Sequence, residues 1–153
     1  MGPPFGLDGA RALLSRMTVS KAMARAELRE LEPSLDEVRA LYKEPAASRI
    51  FAAMGPKWAR FKAGGELLDG ERVLPAEGDQ IVHLSTMRGS ELATADRACP
   101  AEYRSVVEDL KPEAYLYCYA FSPMGLPGVE MDGLSNVGGH WVLVPRPWKL
   151  LGR

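Results

Sequence analysis

The hydrophobic period of this chain changes once, at Gly64-Gly65, and that change restricts the fold more than any other feature. Before it, apolar residues recur every three to four positions; after it, they alternate. A period near 3.6 puts one face of a helix on a core, and a period of two does the same for a strand. The expected class is therefore α+β, with N-terminal helices packed on a mainly antiparallel sheet of about five to six strands formed by the C-terminal half.

The helical segment is expected over 7–63. Ala10, Leu13, Leu14 and Met17 mark one helix, and Val19, Met23, Ala26 and Leu31 mark a second that Pro33 stops. Ser34 stands three residues before Glu37, the spacing of a capping box in which each side chain satisfies a backbone N–H of the new helix. Pro45 suits the first turn of a further helix. Ile50, Phe51 and Met54 share a face of it, Gly55-Pro56 should break or kink it, and Trp58 and Phe61 continue the apolar side.

The sheet-rich segment is expected over 66–148. Asp69-Gly70 and Asp132-Gly133 read as tight turns, because Asp-Gly tolerates the positive φ a hairpin demands. Strands are expected at 80–87, 115–121 and 139–144, with a helix over 100–110. Ser122 to Gly139 reads as a long Gly/Pro-rich connection, a frequent setting for a binding or catalytic loop. At 153 residues the chain is long enough for one core, and one domain over 1–153 is expected.

The formal net charge of -1 conceals a strong segregation. Residues 1–63 hold 11 basic and 7 acidic side chains, residues 64–132 hold 5 and 13, and residues 133–153 hold 3 basic and none acidic. This balance excludes a general nucleic-acid binder, which needs a basic excess. The acidic middle would steer a basic partner. No run approaches the length of a membrane span, so no membrane insertion is expected. No charged and then apolar stretch opens the chain, so no secretory leader is expected. The two cysteines, Cys99 and Cys118, are too few for a disulfide scaffold, and together these features point to a soluble protein of the reducing cytoplasm.

Candidate chemistry is sparse. His140 follows Gly138-Gly139 and could meet Cys118 if strands 115–121 and 139–144 were neighbours, the minimum for a thiol nucleophile and its base. Asp132 is the carboxylate nearest this set, and a Ser135/His140/Asp132 trio lacks the Gly-x-Ser-x-Gly elbow. No two of His83, His140, Cys99 and Cys118 have the close spacing of a zinc pair, so no metal and no cofactor are expected. Glycine-rich phosphate cradles are absent from the sequence. Trp141, Arg146 and Trp148 belong to a residue mix that dominates protein interfaces, and Glu71, Glu77 and Asp79 are the acidic residues most suited to a basic partner.

The leading expectation is a small non-enzymatic binding protein engaging a protein partner, of the inhibitor or toxin-immunity kind by size, acidity and scarcity of motifs. A small hydrolase or transferase using His140 with Cys118 or a loop carboxylate is the alternative. A structural or assembly component is a further one.

Overall fold

Local sequence accounts for the helical half. In the computed structural model, which describes residues 6–91, 99–123 and 128–153, α1 spans Gly6–Met17, α2 Lys21–Arg29, α3 Leu35–Leu41 and α4 Ala46–Lys62. Ser20 caps α2 by accepting the Met23 N–H at 3.1 Å. The Ser34–Glu37 capping box forms in both directions, at 3.2 and 2.8 Å. α4 continues through Gly55-Pro56 instead of ending there. Pro56 and Ala52 are both exposed, so the helical bond lost at Pro56 lies on the solvent side of α4.

The second half forms a four-stranded antiparallel sheet in the order β1-β2-β3-β4, with β1 Gln80–Arg88, β2 Tyr115–Ser122, β3 Val129–Val137 and β4 His140–Leu143. Five to six strands were expected. The difference lies at Asp69-Gly70, where the turn forms but the flanking chain makes only the single bridge Leu68–Glu71. Residues 101–106 of the expected helix over 100–110 form a 3₁₀ turn.

Half of the connection expected over 122–139 is β3, and 124–127 lie outside the described residues. Asp132-Gly133 lies inside that strand and is not its turn. The hairpin instead closes at Gly138-Gly139, whose φ values of 58° and 94° suit a two-residue turn between Val137 and His140. The Asn136 carboxamide oxygen accepts the Gly139 N–H at 3.0 Å and holds this turn.

The two halves share one buried cluster, from Ala10 and Leu14 through Trp58 and Phe61 to Tyr117, Phe121 and Leu143. The exposed edge of β4 is covered where the Leu143 N–H donates to the Leu31 carbonyl at 2.9 Å. A final one-turn helix, α5 (Pro147–Leu150), packs near α4 and the 101–106 turn. No helix among the described residues is long and apolar enough to cross a membrane.

Cys99 and Cys118 form a disulfide, with Cα atoms 5.4 Å apart. This corrects the expectation of reduced thiols. Spacing along the chain is silent on such a bond, since it depends on which strand position the segment before residue 101 reaches. Closing a loop of 19 residues stabilises the fold by about 3 kcal/mol.

Candidate functional site

β2 has irregular pairing on both of its sides at adjacent positions. Toward β3, Tyr117 pairs with Leu134 and Tyr119 with Met131, so Asp132 and Gly133 together stand opposite Cys118. Toward β1, Val82 pairs with Ala120 and Ser85 with Cys118, so His83 and Leu84 together stand opposite Tyr119. Such bulges bend a strand and re-aim the side chains they carry.

Each bulge uses a left-handed residue. Gly133 has φ 81°, and a Cβ there would collide with the Val144 carbonyl oxygen, so only glycine fits. His83 has φ 54° although it is not glycine. Arg146, capping α5, has φ 52°. Non-glycine residues persist in this region only where the surroundings hold them there, and such strain clusters at functional sites.

The β3 bulge turns the Asp132 side chain fully inward. One carboxylate oxygen accepts the Tyr103 hydroxyl at 2.6 Å and the Arg146 backbone N–H at 3.0 Å, and the other meets the Arg146 guanidinium. Burial pushes the Asp132 carboxyl above its ordinary range, and the Arg146 and Tyr103 contacts act against that rise. Burial likewise raises the Tyr103, Tyr42 and Tyr119 hydroxyls, with the Asp132 charge adding to each. Tyr42 and Tyr119 have buried hydroxyls with no hydrogen-bond partner among the described residues.

Arg146 also donates to the Glu130 carbonyl at 3.1 Å and lies 3.4 Å from Glu71. Lys149 donates to the other Glu71 oxygen at 3.0 Å. These two cations, Lys149 first, hold the Glu71 carboxyl below its usual value against partial burial. Trp148 packs edge-on against Tyr103, with ring centroids 5.2 Å apart.

The result is a cleft of about 540 Å³ over the two bulges. The disulfide, Tyr119, Met131 and Trp148 contribute to its wall, and His83, Glu71, Glu102, Glu130, Arg146 and Lys149 give it polar groups. Glu71, Arg146 and Trp148, which sequence reasoning nominated, come together here. The other nominated binding residues do not. Glu77 lines a separate groove of about 630 Å³ beside the α1–α2 turn. Asp79 is buried and accepts the Ala76 N–H at 2.8 Å, with Arg72 3.4 Å away, so it is a loop cap. Trp141 packs edge-on against Tyr117, 5.2 Å between centroids, on the β4 side. The strand tyrosines Tyr117 and Tyr119 are themselves buried.

Each catalytic candidate is engaged elsewhere. Cys118 has no thiol to ionise. β3 lies between β2 and β4, so the Cys118–His140 neighbourhood does not form. The two ring nitrogens of His140 face the Glu37 carboxylate and the Glu30 carbonyl, both at 2.6 Å. Partial burial opposes the charged ring, but these acceptors outweigh it and raise His140 above its ordinary value. When protonated, the ring can donate from both nitrogens, and it is a clasp between the hairpin and the α2–α3 link. Ser135 donates to the Tyr115 carbonyl at 2.9 Å, so the Ser135/His140/Asp132 trio is dispersed.

Sequence reasoning missed Tyr103 and Glu102, and it placed His83 only on a strand face and in the rejected zinc set. Bulges and their αL residues leave no mark in the period-two pattern, and the Gly after Asp132 was the only local signal. Among the described residues, no group of three or more His, Cys, Asp or Glu could hold a metal ion. No protein-family model, curated protein or solved structure matches this chain.

Proposed function

We propose that this chain is a small non-enzymatic binding protein, of the inhibitor or immunity kind, that engages a protein partner through the cleft over the two bulges of β2. The observation that carries this reading is the convergence of Glu71, His83 and Arg146, from three separate segments, on one open cleft where His83 and Arg146 both have left-handed backbone and a buried ion pair fixes Arg146. Preorganised polar groups of this kind lower the ordering cost of association. Enzymatic use of His140 with Cys118 or Asp132 has no support from the geometry, because all three are committed to structural bonds.

The test places a photo-crosslinking residue at Lys149, on the cleft rim, or at Phe51, exposed on α4. A partner from the source organism should be captured from Lys149 and not from Phe51. Its affinity, measured by calorimetry with purified components, should fall at least tenfold with Glu71→Lys. Capture from both positions alike, or an affinity indifferent to Glu71, overturns the reading.

The disulfide bears on the setting. A buried disulfide persists in oxidising compartments and is uncommon in the reducing cytosol. We therefore place the working protein in an oxidising environment, in preference to the cytoplasm expected from the cysteine count. Thiol alkylation of protein trapped rapidly from the source cells checks this: full labelling of Cys99 and Cys118 without added reductant would return the protein to the cytoplasm.

A further inference from the structure

The charges around the cleft do not balance once the existing pairs are assigned. Arg146 is held by Asp132 and Glu71, and Lys149 by Glu71. Both cations that border the cleft are thus already neutralised. Glu102 and Glu130 also border it, both are exposed, and neither makes an ion pair or a side-chain hydrogen bond among the described residues. The uncommitted charge is negative.

A second feature points the same way. Tyr119, 3% exposed, forms part of the cleft wall, and its hydroxyl has no hydrogen-bond partner among the described residues. A buried hydroxyl without a partner is unfavourable, and its lone pairs lack the donor that a ligand N–H would supply. An anion entering the cleft would face Glu102 and Glu130 without compensation. A divalent metal would find no group of three suitable ligands among the described residues. An ammonium or guanidinium group meets both conditions, since it brings several N–H donors and a positive charge.

We propose that the cleft receives a basic side chain, lysine or arginine, presented by the protein partner, with Glu102 and Glu130 as its counter-charges and the Tyr119 hydroxyl as its neutral acceptor. This rests on the binding-protein reading above and names the chemistry that the cleft selects. Glu71 keeps Lys149 and Arg146 paired on the other rim, which leaves Glu102 and Glu130 as the carboxylates open to the incoming cation.

The experiment is an amide-shift titration by NMR with N-acetyl-arginine amide, N-acetyl-lysine amide and N-acetyl-glutamate amide as separate probes. One or both basic probes should shift the amides of Tyr119, Glu130 and Met131 in a saturable way, and the larger effect identifies the preferred group. The acidic probe should leave them in place. The double variant Glu102→Gln/Glu130→Gln should keep the thermal midpoint of the parent protein and bind the basic probes at least tenfold more weakly. Tyr119→Phe should weaken them several-fold. Equal binding of the acidic probe, undiminished binding by the double variant, or no shift with either basic probe overturns the proposal. Partner capture from Lys149 in the presence of any of these outcomes would leave the binding-protein reading standing and remove only the basic-side-chain assignment.

Discussion

Two ion pairs fasten the C-terminal strands of this protein, and they differ mainly in their access to water. The Asp132 carboxylate is fully buried and the Arg146 side chain 18% exposed, whereas the side chains of His140 and Glu37 are 43% and 19% exposed. Both pairs join segments distant in sequence. The buried one also receives a tyrosine hydroxyl and a backbone N–H, so every group around it depends on the others. The exposed one closes a hairpin against the helices and shares its energy with solvent. Burial makes the first pair an organiser of the cleft and leaves the second a clasp.

The largest expected effect tests that contrast directly. Asp132→Asn keeps the shape but leaves the largely buried Arg146 guanidinium with only Glu71, 3.4 Å away, as counter-charge, and should lower stability by about 3 kcal/mol in urea denaturation. A loss below about 1 kcal/mol would mean that burial had already neutralised the carboxyl, and the comparison would fail.

Next comes the disulfide, which anchors β2 where the two bulges flank it. Cys99→Ser/Cys118→Ser should cost about 3 kcal/mol, and the unaltered protein should lose the same amount when reductant is added. A reductant-insensitive denaturation midpoint would indicate that the wall of the cleft does not depend on this bond.

A smaller and pH-dependent effect is expected at the exposed pair. His140 titrates above its ordinary 6.5 in the folded chain, so its stabilisation is present below that value and is lost as pH rises through the raised one. Glu37 titrates below its ordinary 4.5 because its contacts with Ser34 and His140 outweigh partial burial, so its contribution is lost as pH falls through the lowered value. The difference between the parent protein and His140→Gln should therefore peak between these ordinary values and shrink at alkaline pH. Half-exposed pairs of this kind contribute about 0.2–1 kcal/mol, which thermal melts across the pH range can resolve. A constant difference at every pH would assign the role of His140 to packing and not to charge.

The smallest effect sharpens the separation between holding the fold and meeting a ligand. Glu102→Gln/Glu130→Gln should change stability by no more than about 0.5 kcal/mol, because neither carboxylate has a structural partner among the described residues.

Elements with local causes were legible in the chain. The Ser34–Glu37 box, the four helical stripes and the alternation of Tyr115 to Phe121 each carry their own instructions within a few residues. The second Asp-Gly pair misled for an instructive reason. Positive φ at glycine serves a bulge as well as a turn, and the choice at Gly133 is made by the Val144 carbonyl, which leaves no space for a side chain. The cleft was half legible: Glu71, Arg146 and Trp148 were nominated for charge and interface character, while His83 and Tyr103 reach their roles through strand register and packing.

What the sequence determined by itself is the division at Gly64-Gly65 into helices and sheet, with charge segregated along it, because periodicity and composition are local quantities. The tertiary structure alone decided that β3 separates Cys118 from His140, that Cys118 meets Cys99, and that two bulges face one cleft. Those outcomes depend on which strands pair and in what register, and a pairing between distant segments is a property of the whole core.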